Sequence, residues 1–374
     1  MWNSTNPNQL KGEKEKGSKE KVSKVRGGLA VKHLKISEAQ KVYELYDFKE
    51  EIGHGSFGVV VLATEKASNK SWAVKIVHKN IAGASKLTEV DREIKILKTV
   101  NHPNIIYLDR VYESPKKIYM ILELCPRELY AVWMDRKPFS EKMSKKVILQ
   151  LADAVSYLHK TDIVHRDIKM ENILLADNPA DASDECFIKL TDFGLSIVKS
   201  GVGIQSLMSE YCGTVVYMPP EILAMKTYSE LCDVWAIGVI MFMMLYGKYP
   251  FMDKTEEKIR AKICHDEPDY KDSGVGKEAV ELLKDILKKN PVQRITASQI
   301  KENPWLSNKQ HKRKEQNIVD MMKQFATESS PTGPRVRGLS ILSEGLIQDS
   351  STRLNQQKYV KRNESSHKTQ EKKR

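Results

Sequence analysis

The spacing of apolar residues changes once along this chain, near Cys125-Pro126, and that change restricts the fold more than any other feature. Before it, apolar and polar side chains alternate over short runs bounded by turn residues. Phe48–Ile52, Val59–Ala63, Trp72–Val77, Ile105–Tyr112 and Ile118–Leu124 read as five strands. One helix interrupts them over residues 89–100, with Val90, Ile94 and Leu97 on one face and Asn101-His102-Pro103 as its stop. Beyond Cys125 the helical period dominates, in Lys142–Lys160, Val234–Tyr246 and Lys277–Lys289. Pro291, Pro304 and Trp305 close the ordered part. The expected class is therefore α+β. A small five-stranded lobe with one main helix precedes a short connector and a larger, mostly helical lobe.

Three groups of chemistry-bearing residues fall into this frame. The first is Ile52-Gly53-His54-Gly55-Ser56-Phe57-Gly58-Val59-Val60. A dinucleotide fold uses the same G-x-G-x-x-G spacing between a strand and a helix. Here Val59, Val60 and Val61 continue as a strand, which excludes a dinucleotide oxidoreductase and makes the loop a hairpin tip. Glycines there let backbone N–H groups approach phosphate oxygens, although the spacing alone also fits a plain hairpin. The second group is Lys75, on a strand after Ala73-Val74, and Glu93, on the helix. Taken alone, these two are ordinary surface charges. The third is His165-Arg166-Asp167-Ile168-Lys169-Met170-Glu171-Asn172, with a carboxylate, a lysine and an amide at offsets 0, +2 and +5. That kit takes a proton from a hydroxyl, sets a cation beside a phosphoryl group and holds a metal ion.

The third group resembles the catalytic loop of protein kinases, H-R-D-x-x-x-x-N, at every fixed position. Asp192-Phe193-Gly194, Cys212-Gly213-Thr214, Pro219-Pro220-Glu221, Asp233 and Arg294 follow in the family's order. Residues 114–120, 122–125, 162–167 and 317–323 resemble the calcium/calmodulin-dependent group in particular, and the resemblance covers about residues 41–325. It implies a bilobal protein-kinase fold over 46–306, with the small lobe at 46–123, the hinge at 124–128 and the large lobe at 129–306. It also implies ATP-dependent phosphorylation of protein Ser/Thr hydroxyls, with ATP and Mg2+ as cofactors.

By the same resemblance Asp167 accepts the hydroxyl proton, Lys169 neutralises the transferring phosphoryl, and Asn172 and Asp192 hold the metal. Lys75 meets the α/β-phosphates and is held by Glu93, while Thr214 completes the hydroxyl site. The nucleotide would be lined by the glycine loop, Ile52 to Val60, with Ala73, Lys75, Glu123, Cys125 and Leu174. Asp233 would anchor the catalytic loop and Arg294 would pair with Glu221. Glu128 and Glu171 resemble the pair that reads an arginine three residues before the target, or they are exposed charges. Met243 stands where basophilic relatives carry a further acid, which favours one upstream arginine. The hinge is one residue short of the usual pattern, and the segment between Asn172 and Asp192 carries extra residues at 176–186, expected to form an exposed hairpin tip. The competing reading is a non-catalytic scaffold of this fold acting through its tails and the acidic insert.

Charge separates the folded part from the rest. Of the net +12, +5 lies in residues 1–40 and +8 in 307–374, which leaves −1 for the middle. A basic nucleic-acid face is thus not indicated, and both tails read as solvated and disordered. Residues 317–325 form a short amphipathic stretch in the second tail, but Asp320 offsets Lys323, which argues against calmodulin binding. Five cysteines without paired spacing fit a reducing compartment. The thirteen-residue apolar run Val234–Tyr246 is too short to span a bilayer. The expectation is a cytoplasmic monomer acting on protein substrates, its basic tails compatible with nuclear entry. Arg337 lies three residues before Ser340, marking a candidate phosphorylation site. Glu210 occupies the place of a phosphorylated threonine near Gly213, with Ser206 and Ser209 as the alternative switch.

Overall fold

The computed structural model of the chain describes residues 31–55, 58–199, 213–271 and 274–307. The chain begins there with strand β1 (Lys32–Lys35) and helix α1 (Gln40–Leu45). Strands β2 (Tyr46–Gly55), β3 (Gly58–Glu65) and β4 (Ser71–His78) follow. Helix α2 (Lys79–Leu97) is broken at Gly83, whose φ of 70° is left-handed. Strands β5 (Leu108–Glu113) and β6 (Lys117–Glu123) complete one sheet in the order β1-β5-β6-β4-β3-β2. The expected five strands are all present, and all their mutual pairings are antiparallel.

The sheet has six strands rather than five. β1 pairs in parallel with β5, Lys32 opposite Arg110 and Lys35 opposite Glu113. It falls within residues 1–40, expected as a disordered tail. Lys-His-Leu-Lys offers no apolar alternation to read, because backbone pairing at the sheet edge, rather than burial, holds it in place. From that edge the chain crosses the outer face of the sheet as α1 and enters β2 at the opposite edge. Val42 and Tyr46 pack there with Trp72, Val74, Ile76, Tyr112 and Tyr119 in a small core of their own. The inner face of the sheet, with α2, belongs instead to the large core of the other lobe.

After residues 124–126, strand β7 (Arg127–Glu128) leads into helix α3 (Leu129–Arg136). Helix α4 (Glu141–Lys160) starts at Ser140, whose hydroxyl accepts Met143 N–H, and buries Val147, Ile148, Leu151, Val155 and Leu158 along one face. Strands β8 (Ile163–Val164), β9 (Ile173–Ala176), β10 (Phe187–Leu190) and β11 (Ile197–Val198) carry the chain past α4. β9 and β10 pair antiparallel, Phe187 opposite Ala176, so residues 177–186 form the expected hairpin tip. Its Asp184 is held by Lys146 (3.1 Å) and Asn178 (3.0 Å).

Short α5 (Pro220–Leu223) precedes α6 (Leu231–Tyr246), in which every residue from Cys232 to Leu245 is buried. A helix apolar on all sides has to lie in the middle of its lobe. It ends at Gly247, which is left-handed (φ 67°) and donates its N–H to Met243 O. Helices α7 (Glu256–His265), α8 (Lys277–Ile286) and α9 (Ala297–Glu302) pack around it. None of the described helices is long and apolar enough to cross a membrane.

Arg294 fastens α5 to this lobe. Its guanidinium, fully buried, meets both carboxylate oxygens of Glu221 (2.8 and 3.1 Å) and also donates to Leu231 O and Lys288 O. Removing one partner strands the other charge in the interior. Glu221→Gln should therefore lower stability by about 3–5 kcal/mol, measured by urea unfolding. A loss below about 1 kcal/mol would show that the pair is wetter than its burial implies.

Candidate active site

The loop after β8 is held from below by one carboxylate. Asp233, in the first turn of α6 and buried, accepts the backbone N–H groups of His165 (2.9 Å) and Arg166 (2.8 Å). His159 of α4 supplies a third bond to it at 2.9 Å. Burial pushes the Asp233 pKa up, but the His159 bond and charge, the His165 charge and the N–H donors more than offset this and hold it below the ordinary carboxylate value. Arg166 itself is left-handed (φ 69°), and its guanidinium donates to Leu195 O at 2.6 Å.

Asp167 then projects into a cluster of donors. Lys169 Nζ lies 2.7 Å from its Oδ2, and Thr214 Oγ1 donates to its Oδ1 at 3.4 Å. Lys169 also reaches Thr214 Oγ1 at 3.3 Å, so the three side chains close a triangle. Asn172 donates its amide N–H to Asp167 O (2.8 Å) and Oδ2 (3.1 Å), which turns its amide oxygen the other way. Thr191 N–H donates to Asn172 O at 2.9 Å, bringing the backbone beside Asp192 alongside Asn172. Gly213, just before Thr214, has φ 105°, and a Cβ there would come within 3.0 Å of Arg166 O. Glycine at this position is required by both conformation and space.

Lys75 on β4 bonds Glu93 Oε2 across the lobe at 2.6 Å. Glu93 is buried and Lys75 only partly so. Burial alone would lower the Lys75 pKa, but the carboxylates of Glu93, Asp192 and Glu89 outweigh it and keep the ammonium charged. Asp192 is left-handed (φ 64°) and accepts Gly194 N–H at 3.3 Å. Burial raises its pKa, whereas Lys75, His165, the Gly194 N–H and Lys169 lower it further, so it stays ionised. Phe193 is fully buried and meets the His165 ring edge-on at 4.9 Å. Lys75 and Asp192 are thus close enough for their charges to interact, and the Thr191 N–H bond ties the Asp192 segment to Asn172.

The glycine hairpin closes with Gly55 opposite Gly58 and Gly53 opposite Val60. Ser56 and Phe57 lie outside the described residues. Gly58 is glycine for a reason the spacing did not indicate: a Cβ there would sit 1.9 Å from Ile76 O of β4. Of the expected lining, Ala73 is buried, Val60, Leu174 and Cys125 are partly buried, and Ile52, His54 are exposed on the hairpin with Val59 beside them. Burial, reinforced by the Glu123 charge, pushes the Cys125 thiol up to about 12, which leaves it without thiolate reactivity. The Glu123 side chain is taken by Lys189 Nζ (2.9 Å) and Tyr107 N–H (2.7 Å). With its carboxylate so engaged, Glu123 would meet a ligand through its backbone.

Glu128 opens α3 and Glu171 precedes Asn172 in the 165–172 loop. Burial and then the nearby Glu171 charge raise the Glu128 pKa, so the two acids face one region. Glu171 also accepts the Tyr217 hydroxyl at 3.2 Å. Met243 is buried and its carbonyl accepts Trp133 Nε1–H at 2.8 Å. Cys212, Ser206, Ser209, Glu210, Ser340 and residues 317–325 lie outside the described residues. Sequence reasoning missed His159 and Lys189. Each is a common residue on a regular element, and only the fold brings it to Asp233 or Glu123.

A protein kinase domain profile matches residues 46–306. Serine/threonine-protein kinase 33 of Mus musculus is 41% identical over 302 residues, 79% of this chain and 62% of that protein. Myosin light chain kinase A of Dictyostelium discoideum is 33% identical over 303 residues, 79% of this chain and 98% of that protein. Calcium/calmodulin-dependent protein kinase type 1B of Rattus norvegicus is 35% identical over 276 residues, 72% of this chain and 77% of that protein. The chain spans about three-fifths of the length of the first of these relatives.

Because the folded Asp233 pKa is depressed, its contribution is complete above the unfolded value of about 3.9 and is lost as pH falls through the folded value. Asp233→Asn should cost about 2–4 kcal/mol at pH 7, the scale of hydrogen bonds to a buried charge. The gap from wild type should close as the pH falls through the folded value. Urea unfolding at several pH values checks this; a gap independent of pH would mean the carboxylate charge is not what holds the loop.

Proposed function

The chain belongs to the protein kinase family, and on that premise we propose that it is an ATP-dependent serine/threonine kinase. It transfers the γ-phosphoryl of ATP to Ser/Thr hydroxyls of protein substrates. The observation that carries the reading is the Asp167 cluster: a carboxylate held by Lys169, Thr214 and Asn172 beside a charged Lys75 and an ionised Asp192. The names of the relatives support the choice of hydroxyl.

The donor set fits Mg2+. Asn172 Oδ1 and the Asp192 carboxylate are hard oxygen ligands, and among the described residues no group of three or more His, Cys, Asp or Glu forms a self-sufficient cage. Mg2+ suits such a site, taking its remaining ligands from phosphates and water. When bound it supplies positive charge that steadies the phosphates in line for transfer. Lys75, fixed by Glu93, holds the α/β-phosphates under the hairpin. The substrate oxygen attacks the γ-phosphorus, its proton passes to Asp167, and the β,γ-bridging oxygen leaves with ADP. Lys169 faces the charge on the transferring group. Glu128 and Glu171 receive an arginine upstream of the target residue. A scaffold without catalysis would have no use for this paired and charged set.

Asp167→Ala should lower phosphoryl transfer at least ~100-fold, the scale of one positioned acid–base group, while ATP binding persists. Activity near wild type would leave the scaffold reading in its place. A second assay compares peptides with arginine or alanine three residues before serine. Glu128→Gln with Glu171→Gln should cut kcat/KM for the arginine peptide by about 10- to 100-fold and leave the alanine peptide unchanged. Equal losses on both peptides would remove the two acids from arginine recognition.

A further inference from the structure

The segment that crosses from β1 to α1 is not accounted for by the reaction. We propose that this strap is a positioning element for the proposed kinase reaction, with His33 as the residue through which it holds the carboxyl end of α2 and so keeps Glu93 on Lys75. The inference rests on that reading of the site.

The argument begins with how α2 is attached. Its first turn has no capping side chain, its backbone breaks at Gly83, and residues 83–85 are exposed. Apart from Ala82, its buried residues are Val90, Glu93, Ile94, Ile96 and Leu97, all in the last two turns. The position of Glu93 is therefore decided by whatever fixes the carboxyl end. Lys98, the residue that ends the helix, reaches His33 Nδ1 at 3.2 Å. His33 Nε2 in turn lies 3.0 Å from Glu113 Oε2, and Glu113 Oε1 bonds Lys79 at 2.7 Å. Glu113 thus ties β5 to the start of α2, while His33 carries the same chain of contacts on to its end.

The chemistry of the link sets the state of the imidazole. A carboxylate only accepts and an ammonium only donates, so a neutral ring with its proton on Nε2 satisfies both neighbours. Burial lowers the His33 pKa, the Lys98 charge lowers it further, and Glu113 and Asp91 only partly offset them. The neutral form is therefore the one that the site selects. β1 is held on β5 by parallel pairing and by Ile36 N–H to Glu113 O at 2.9 Å. α1 adds weight from the other side: Val42 and Tyr46 pack on Trp72, Val74 and Ile76, which flank Lys75 on β4. Lys66 N–H and Nζ bond Leu45 O and Tyr43 O (2.9 and 2.8 Å) and fasten the far end of the strap. Both members of the Lys75–Glu93 pair are in this way braced by one segment, Glu93 through its helix and Lys75 through its strand.

The experiment uses the full chain with His33→Ala, His33→Gln, Lys98→Met and the double variant His33→Ala with Lys98→Met. Glutamine keeps a donor for Glu113 and an acceptor for the flexible Lys98. His33→Ala and Lys98→Met should each lower kcat about three- to tenfold, with peptide KM and unfolding temperature nearly unchanged. The double variant should be no worse than either single one. His33→Gln should keep most of the wild-type rate. Hydrogen exchange read without nucleotide or peptide should show amides 94–97 of α2 losing protection in His33→Ala and not in His33→Gln. Unchanged kcat and unchanged α2 protection in His33→Ala would overturn the inference, as would equal damage from alanine and glutamine. If the wild-type chain transfers no phosphoryl group, the kinase reading fails, and the exchange experiment still decides the link on its own.

Discussion

A single buried carboxylate, Asp233, sets the geometry on which the rest of the site depends. It sits at the start of a helix with no exposed side, where the positive end of the helix favours an anion. Its two oxygens take the N–H groups of consecutive residues, His165 and Arg166. Two bonds to adjacent amides fix the direction of the chain as well as its location. Asp167 follows immediately, so its carboxylate is aimed by a constraint that lies wholly beneath it. Asn172 returns to the Asp167 carbonyl and carboxylate, which closes the loop on itself. The apolar mass of α6 is thereby converted into a fixed position for one oxygen pair.

The small lobe solves a different problem, since its key charges come from a strand and the far end of the helix that follows it, 18 residues apart in the chain. Lys75 belongs to a strand paired on both sides, opposite Val60 and Met120, and has little freedom. Glu93 belongs to a helix that touches the sheet mainly through its last two turns. Buried, an unpaired carboxylate at Glu93 would be costly, so the pair forms only if the helix is delivered to the right place. Asp192 adds a second anion near the same ammonium, which makes that delivery matter to Asp192 as well. Charge at short range thus acts on top of the apolar core that the inner face of the sheet and α2 share with the other lobe.

What was legible in the sequence was whatever is local or periodic. The five strands, the buried α6 and the three catalytic-loop side chains can be read because neighbours in the chain carry the signal, as Asp167, Lys169 and Asn172 do within six residues. β1 was not legible: Lys32, His33 and Lys35 are polar, and the strand exists only because β5, some 78 residues later, offers an edge. His159 and Lys189 carry no signal for the same reason. Gly58 was legible as a glycine but not for its cause, which is the carbonyl of Ile76 on the next strand. Nor does anything in the chain announce that Lys189 takes the Glu123 carboxylate.

Backbone strain is concentrated where these anchors are. Of five described non-glycine residues with left-handed φ, Asp162, Arg166 and Asp192 (59°, 69° and 64°) lie on the segments around Asp167 and Asp192, whereas Asn69 and Met225 lie elsewhere. Such conformations cost about 1–3 kcal/mol each and persist only where the surroundings over-determine them. For Arg166 the determinants are Asp233 beneath and Leu195 O beside it. For Asp192 they are the Gly194 N–H, the buried Phe193 and the attachment of Thr191 to Asn172. The same bonds that absorb the strain also aim Asp167 and Asp192, so relaxing either backbone would turn its carboxylate away from Lys169 or Lys75. Stability is spent here on direction, and the buried pairs Asp233–His159 and Glu221–Arg294 are what the lobe sets against that cost.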